Sequence, residues 1–366
     1  MESQLAGHIP QIWSRAGGVQ CKAKLFFKAS LRIKMKRLPW KESATTILIA
    51  KSTKTSTTFN YKVLMLKRSG KSQFMPNTFV FPGGKIDQAD FHPGWKDIFA
   101  SSGKSISDII RSKPQEPFLI QPKDEDDREG LHRRLAFRIC ALRETFEECG
   151  VLSIVNAKAD LDLDKLRYWR TRVDQNASSF LQMCQESQLC PDVWSLHETS
   201  DWLTPVGRKE LGTRRFDTIF YSHFLPQIPL QGVSFDDKEV TELCWTEPLA
   251  MLEDAKAGKL ELAPPQVYEF TRMARFEKIE DLEKDVSSRA KQGVSTTFPV
   301  LFKCPDCTLS VLPGDELYPE TPDFQGKQPG WKPLEWNFQQ LNQKFPKANR
   351  IAIFNKHNIV PFVQLR

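Results

Sequence analysis

A helix with one apolar stripe and an acidic face opposite it constrains this chain more than any other feature. In Phe137-Arg138-Ile139-Cys140-Ala141-Leu142-Arg143-Glu144-Thr145-Phe146-Glu147-Glu148-Cys149-Gly150, and starting one turn earlier at Leu135, the residues Leu135, Ile139, Leu142, Phe146 and Cys149 recur at spacings of four and three. That spacing predicts a helix with one stripe turned to a core. Gly150 supplies its C-terminal stop. At about 100° per residue, Glu144, Glu147 and Glu148 fall opposite the stripe. Like charges three and four apart destabilise a helix by about 0.2–0.5 kcal/mol per pair, so something must compensate them. Two readings are open: a solvated acidic face, or a divalent cation taking oxygen ligands from clustered carboxylates. Arg143 can reach Glu147 at i+4 and hold part of the cluster.

The segment before the helix favours the second reading. Thr45-Thr46-Ile47-Leu48-Ile49-Ala50, Tyr61-Lys62-Val63-Leu64-Met65-Leu66 and Thr78-Phe79-Val80-Phe81 read as strands, the last stopped by Pro82-Gly83-Gly84. Without a Cβ, Gly84 lets its backbone come close to a ligand or lend a carbonyl to a metal. A lone Gly-Gly says little; after a strand, and paired with an Arg-Glu-x-x-Glu-Glu helix, it says much more. Further strands are expected at 216–224 and 240–245, and helices at 163–174, 178–186, 247–257, 264–276 and 278–290. Strands followed by helices in this order predict a mixed sheet covered by helices. Residues 91–135 are polar and irregular and read as an excursion from the core. The tail from about 292 gives no clear pattern.

These motifs resemble those of the Nudix hydrolases, whose signature is G-x5-E-x7-R-E-U-x-E-E-x-G-U with U bulky and apolar. Gly84 matches its first position, and Arg143, Glu144, Glu147, Glu148, Gly150 and Val151 match its second half. Asp90 stands where the first Glu belongs, and Thr145 stands at a U position. Between Asp90 and Arg143 lie 52 residues where the signature has seven. The run Phe81-Pro82-Gly83-Gly84-Lys85-Ile86-Asp87-Gln88-Ala89-Asp90, preceded by Leu66-Lys67-Arg68-Ser69, is similar to the form found in the coenzyme A diphosphatases of the family. Thr213-Arg214-Arg215-Phe216, Pro264-Pro265-Gln266-Val267-Tyr268-Glu269 and Leu312-Pro313-Gly314-Asp315-Glu316-Leu317-Tyr318 extend that likeness.

The resemblance implies an α/β/α Nudix sandwich with a mixed sheet, a long insertion at about 91–135 and extra helices. It places a Nudix domain at 42–318, a basic leader at 1–41 and a C-terminal extension at 319–366. The implied activity is Mg²⁺- or Mn²⁺-dependent hydrolysis of the diphosphate of coenzyme A and acyl-coenzyme A. ADP-ribose, NADH or another nucleoside diphosphate derivative is the alternative substrate, and an inactive acyl-coenzyme A binding module the alternative function. Glu144, Glu147, Glu148 and the Gly84 carbonyl would hold the metal. Arg143 would position the cluster, Glu147 or Glu239 would act as general base, and Arg68, Arg214 and Arg215 would contact substrate phosphates. The expected protein is a monomer of the peroxisome, although Gln364-Leu365-Arg366 does not match the usual peroxisomal tripeptide; the mitochondrion is the alternative.

Charge distribution excludes one competing class. The net charge is +7, but residues 1–41 hold nine Lys or Arg against one acid, leaving the remainder close to neutral. A neutral body carries no electrostatic footprint for nucleic acid. The leader, acid-poor and basic, reads either as a targeting segment or as an unstructured extension. No apolar run approaches the roughly 18–20 residues needed to span a bilayer. Eight cysteines are too few for a disulfide scaffold, so a reducing compartment is expected. Cys304-Pro305-Asp306-Cys307 is a single CxxC without a second pair, and reads as two reduced thiols near a loop.

Overall fold

Alternation along the first two strands sets the layers. In β1 (Lys41–Lys51), Ile47 and Ile49 enter the core on one face of the sheet, Ala44 and Leu48 on the other. In β2 (Tyr61–Arg68), Tyr61, Val63 and Met65 join the first face, Leu64 and Leu66 the second. Successive side chains on a strand point to opposite faces, so both strands are covered twice. The computed structural model describes residues 40–52, 58–72, 75–111, 127–128, 131–155, 162–205, 215–229, 240–324, 331–355 and 358–363. Arg214, Glu239, Gln364-Leu365-Arg366 and the leader up to residue 39 lie outside them.

The chain continues through β3 (Thr78–Val80), β4 (Gly83–Lys85), α1 (Trp95–Ser101), α2 (Ser107–Arg111), a small hairpin of β5 (Asp127–Arg128) and β6 (Leu131–His132), and α3 (Arg133–Cys149). Then come α4 (Leu163–Gln175), α5 (Ser178–Glu186), β7 (Leu196–Leu203), β8 (Phe216–Leu225), β9 (Val240–Thr246), α6 (Pro248–Lys256), β10 (Glu261–Leu262), α7 (Pro264–Met273), α8 (Ile279–Gln292) and β11 (Thr296–Thr297). Among the described residues the main sheet has nine strands in the order β10-β3-β2-β1-β8-β7-β11, with β4 also on β1 and β9 also on β2. It is mixed: β1 and β8 run parallel, β1 and β2 antiparallel. Helices α1, α3, α4 and α5 pack on one face and α6, α7 and α8 on the other. This is the α/β/α sandwich expected.

A second sheet follows, built from β12 (Val300–Lys303), β13 (Thr308–Val311), β14 (Lys332–Pro333), β15 (Asn349–Asn355) and β16 (Asn358–Val363), with α9 (Phe338–Lys344) between β14 and β15. It spans position 318, where the sequence suggests the start of an extension. Its anchor is Arg350, fully buried and gripped at both ends by Asp315 (2.7 and 2.9 Å), which ties the Leu312-Pro313-Gly314-Asp315 turn to β15.

Two elements differ from the sequence reading. The described first part of the insertion, residues 91–111, joins the core: Trp95 and Phe99 of α1 are both 1% exposed and stack on each other, and Trp95 packs toward Phe180 of α5. Its apolar pair sits in a seven-residue helix amid polar flanks, too short for periodicity to register. Strand β7 was equally hidden, because Leu196-His197-Glu198-Thr199-Ser200-Asp201-Trp202 is mostly polar. Its buried hydroxyls are satisfied by partners the sequence does not announce: Thr199 with Ser222 (2.7 Å) and Ser200 with Glu269 of α7 (2.6 Å).

Asp201 of β7 yields a pH prediction. Burial, and then the neighbouring Asp217 carboxylate, push the Asp201 carboxyl well above the ordinary carboxylate range, while Thr296 donates to it at 2.7 Å. A folded-state pKa above the unfolded value contributes stability at low pH that is lost as pH rises through the folded value. Asp201→Asn, which mimics the protonated acid, is therefore expected to flatten the fall of Tm as pH rises from the ordinary carboxylate range through the folded value. An unchanged pH profile of Tm in the variant would contradict this assignment.

Candidate active site

Strands β1 and β2 pair only at Ile49–Lys51 with Tyr61–Val63 and then separate, and β3 and β4 fill the wedge, β3 on β2 and β4 on β1. The turn at Phe81-Pro82 reverses the chain between them. It presents Gly83 and Gly84 opposite Thr45 and Ala44, directly under α3. Helix α3 ends as expected, with Gly150 left-handed at φ 73° and its N–H on Phe146 O (2.9 Å). All five residues of the predicted stripe are buried. Nearly every other α3 side chain from Leu135 to Cys149 is buried too, leaving Glu144, Glu147 and Glu148 as the half-buried group.

The two parts of the motif meet despite the long insertion. The Gly83 N–H donates to Glu148 Oε2 at 2.8 Å. The Glu144 carboxylate lies so close over Gly84 that a Cβ there would collide with it. Arg143 gathers the rest. Its Nε and Nη2 grip Asp90 in a bidentate pair (2.9 and 3.0 Å), Nη2 also donates to Lys85 O (3.1 Å), and Nη1 donates to Glu144 Oε1 (2.9 Å) and Glu147 Oε2 (3.2 Å). Burial works against the Arg143 charge, yet Asp90 and Glu144 hold the guanidinium well above its ordinary pKa. The planar fork of Arg suits this task; a lysine has one point charge for the same partners.

Both departures from the signature have structural reasons. Asp90 is shorter than Glu, but it sits on a 3₁₀ turn (Gln88–Phe91) capped reciprocally with Asp87, which brings its backbone close to Arg143. Thr145 occupies an apolar position at 2% exposure because its Oγ1 donates to Ala141 O at 2.7 Å. Trp95, early in the insertion, packs beside the same site, since its Nε1 donates to Ala89 O (3.0 Å) and Phe180 bridges it to Phe146.

Some site residues carry no sequence signal. Arg170 of α4 donates to the Glu147 and Glu148 carbonyls, 2.8 Å each, and caps the negative end of α3. Cys140, held protonated by burial, points its Sγ at Gly84 O (3.8 Å). Contacts to backbone oxygens leave no pattern in side-chain spacing. Among the expected phosphate contacts, Arg68 ends β2 at the mouth of the wedge. By alternation it shares the face on which Leu64 and Leu66 meet Cys149 and Val151 at the end of α3. Arg215 precedes β8, with its carbonyl accepting the Lys41 N–H at 2.7 Å. It lies four residues from Ile219, the residue level with Ala44, and so roughly 13 Å along the strand from the Gly84 level.

Whether these groups suit a cation is decided by their charge and donor type. Three carboxylates, Asp90, Glu144 and Glu147, meet one guanidinium and a fourth, Glu148, accepts the Gly83 N–H beside them; all are hard oxygen donors of the kind Mg²⁺ and related ions take. They fit such an ion chemically. Among the described residues, however, no three acidic, cysteine or histidine groups already converge as a cage. Glu144 and Glu147 are turned to Arg143 and Glu148 to Gly83.

The close approach at Gly84 makes a sharp prediction. Gly84→Ala is expected to displace the Glu144 carboxylate and lower activity by about 10- to 100-fold, the usual cost of misplacing a ligand-orienting contact. Steady-state rates at saturating divalent metal measure it; a fully active Gly84→Ala enzyme would mean Glu144 does not work from this position.

An α/β/α sandwich with a Gly-Gly strand start locked to an Arg-Glu-x-x-Glu-Glu helix defines a Nudix hydrolase. Comparison with known proteins makes the assignment narrower. Residues 40–273 match the NUDT19 Nudix domain and residues 301–363 the NUDT19 C-terminal domain. The acyl-coenzyme A diphosphatase NUDT19 of Xenopus laevis is 36% identical over 346 residues, covering 86% of this chain and 90% of the relative. That of Gallus gallus is 35% identical over 351 residues, covering 89% and 92%. A solved Nudix hydrolase from Alicyclobacillus acidocaldarius is 19% identical with a TM-score of 0.49, covering 68% of this chain and 97% of its own. The chain belongs to the NUDT19 family of Nudix hydrolases, enzymes that work with divalent metal ions.

Proposed function

We propose that the protein hydrolyses the diphosphate bond of coenzyme A and acyl-coenzyme A, giving adenosine 3′,5′-bisphosphate and (acyl-)4′-phosphopantetheine, with Mg²⁺ or Mn²⁺ as cofactor. The observation that carries this reading is the closure of Gly83-Gly84 onto Glu144 and Glu148 around Arg143, in a chain 36% identical to an acyl-coenzyme A diphosphatase. Glu144, Glu147, Glu148 and the Gly84 carbonyl are the groups that would hold the ion. Bound there, it supplies neutralisation of the diphosphate charge and a lowered pKa for the attacking water.

The protein's own groups supply the rest. Arg143 orients Glu144 and Glu147 from a position fixed by Asp90. Arg68 offers a guanidinium to a phosphate at the mouth of the wedge. A carboxylate left off the ion takes the proton of the attacking water: Glu147, whose Oε2 Arg143 now holds, is one candidate for that step, and Glu239, close before β9 in sequence, is the other. Incubating the protein and Mg²⁺ with coenzyme A, ADP-ribose and NADH, and identifying products by mass, tests the substrate. Release of 3′,5′-ADP from coenzyme A supports the reading; turnover of only the other two, or binding without turnover, overturns it. A monomeric state and a peroxisomal location go with this reading. Sedimentation of the purified protein, and imaging of the tagged full-length chain against peroxisomal and mitochondrial markers, check them.

A further inference from the structure

Away from the acidic cluster, the second sheet contains a built pair of thiols. Strands β12 and β13 are antiparallel with Lys303 opposite Thr308, so Cys304-Pro305-Asp306-Cys307 forms the tight turn between them. The Cys304 N–H donates to Cys307 O at 2.8 Å, which holds the two cysteines face to face across the hairpin. Residues facing each other across antiparallel strands have Cα atoms about 4.5–5.5 Å apart, inside the span that a disulfide bridges. The tip is pinned, since the Asp306 carboxylate accepts the Phe338 N–H at the start of α9 (3.0 and 3.3 Å). Both thiols lie just beneath the wall of an open cleft of about 470 Å³, lined also by Met75, Thr78, Glu261, Lys303, Thr308 and Asn355.

We propose that Cys304 and Cys307 are a dithiol–disulfide couple that exchanges with small disulfides entering this cleft. Chemistry separates them from the other described cysteines. Burial raises the thiol of Cys140, Cys149, Cys184, Cys190 and Cys244, whereas a hydrogen bond from Cys307 lowers that of Cys304 and correspondingly raises Cys307. Cys304 is therefore the attacking sulfur and Cys307 the resolving one. The Cys304 thiolate attacks a small disulfide RS–SR, forming a protein–S–S–R bond and releasing one RS⁻, which takes up a proton. Cys307 then gives its proton to solvent and attacks Cys304 Sγ, breaking the mixed bond and releasing the second RS⁻. The protein loses two electrons and the small disulfide becomes two thiols. Metal binding is the competing use of a CxxC turn, but Asp306 is engaged by α9, and among the described residues no third His, Cys, Asp or Glu joins the two thiols.

The test uses the full-length reduced protein, freed of reductant and incubated with glutathione disulfide or, separately, coenzyme A disulfide, then acid-quenched, alkylated and peptide-mapped. A Cys304–Cys307 disulfide forming ahead of adducts on the other described cysteines is expected. Cys307→Ser should accumulate one mixed disulfide on Cys304, and Cys304→Ser none in this turn. Similar rates with both probes support exchange with small disulfides in general, and a faster reaction with coenzyme A disulfide supports a source in the thiol chemistry of coenzyme A. The glutathione result is independent of what the acidic site hydrolyses. The proposal is overturned if no Cys304–Cys307 bond forms while other cysteines react, if the adduct collects on Cys307 in the wild type, or if the freshly purified protein carries one zinc per chain held by this pair.

Discussion

Glu148→Gln is expected to lower diphosphate hydrolysis by at least about 10²-fold, the scale of removing one preorganised electrostatic group from an active site. The fold should survive, because the amide oxygen of Gln can still accept the Gly83 N–H that Glu148 now takes at 2.8 Å. Only the charge is lost, and with it one of the donors offered to a cation. The two readouts separate these effects: Tm should stay near that of the parent while kcat falls, and raising the divalent metal concentration should recover little of the rate. A variant with parental kcat would show that Glu148 serves only to hold the start of β4, and the proposed ligand set would then be wrong.

The largest stability effect is expected at Arg143. Arg143→Met strands Asp90, 1% exposed, as an unpaired buried carboxylate, and breaking such a pair costs about 3–5 kcal/mol. Urea denaturation should show this as a lower midpoint with an unchanged slope. Arg143→Met combined with Asp90→Leu removes both charges and should recover a large part of the loss, as buried pairs replaced by apolar residues often do. Activity should not return in the double variant, since Glu144 and Glu147 would still lack the guanidinium that orients them. Equal stability of the single and double variants would mean that the cost lies in the packing of Arg143 and not in the stranded Asp90 charge.

Local pattern carried the parts of this protein that depend on short-range spacing. The period of Leu135, Ile139, Leu142, Phe146 and Cys149 fixed the buried side of α3, and therefore the side on which its three glutamates stand. Pro82 marked the end of β3, although Gly83 and Gly84 open β4 and are not the turn itself, and strand-like runs at 45–50 and 61–66 placed the centre of the sheet. Thr145 and Asp90 look like flaws in the motif until their partners, Ala141 O and Arg143, are seen.

What tertiary structure alone decided is which distant groups meet. Joining Gly83 to Glu148 across 65 positions, and Asp90 to Arg143 across 53, depends on the separation of β1 from β2 and on Trp95 of the insertion returning to the core. Strand β7 and the second sheet likewise rest on polar and charged pairs, such as Ser200 with Glu269 and Asp315 with Arg350, whose members lie far apart in the chain. Periodicity records how one segment divides its own side chains between core and water. It holds no record of the partner that satisfies a buried polar group, because that partner is chosen by packing once the layers have closed.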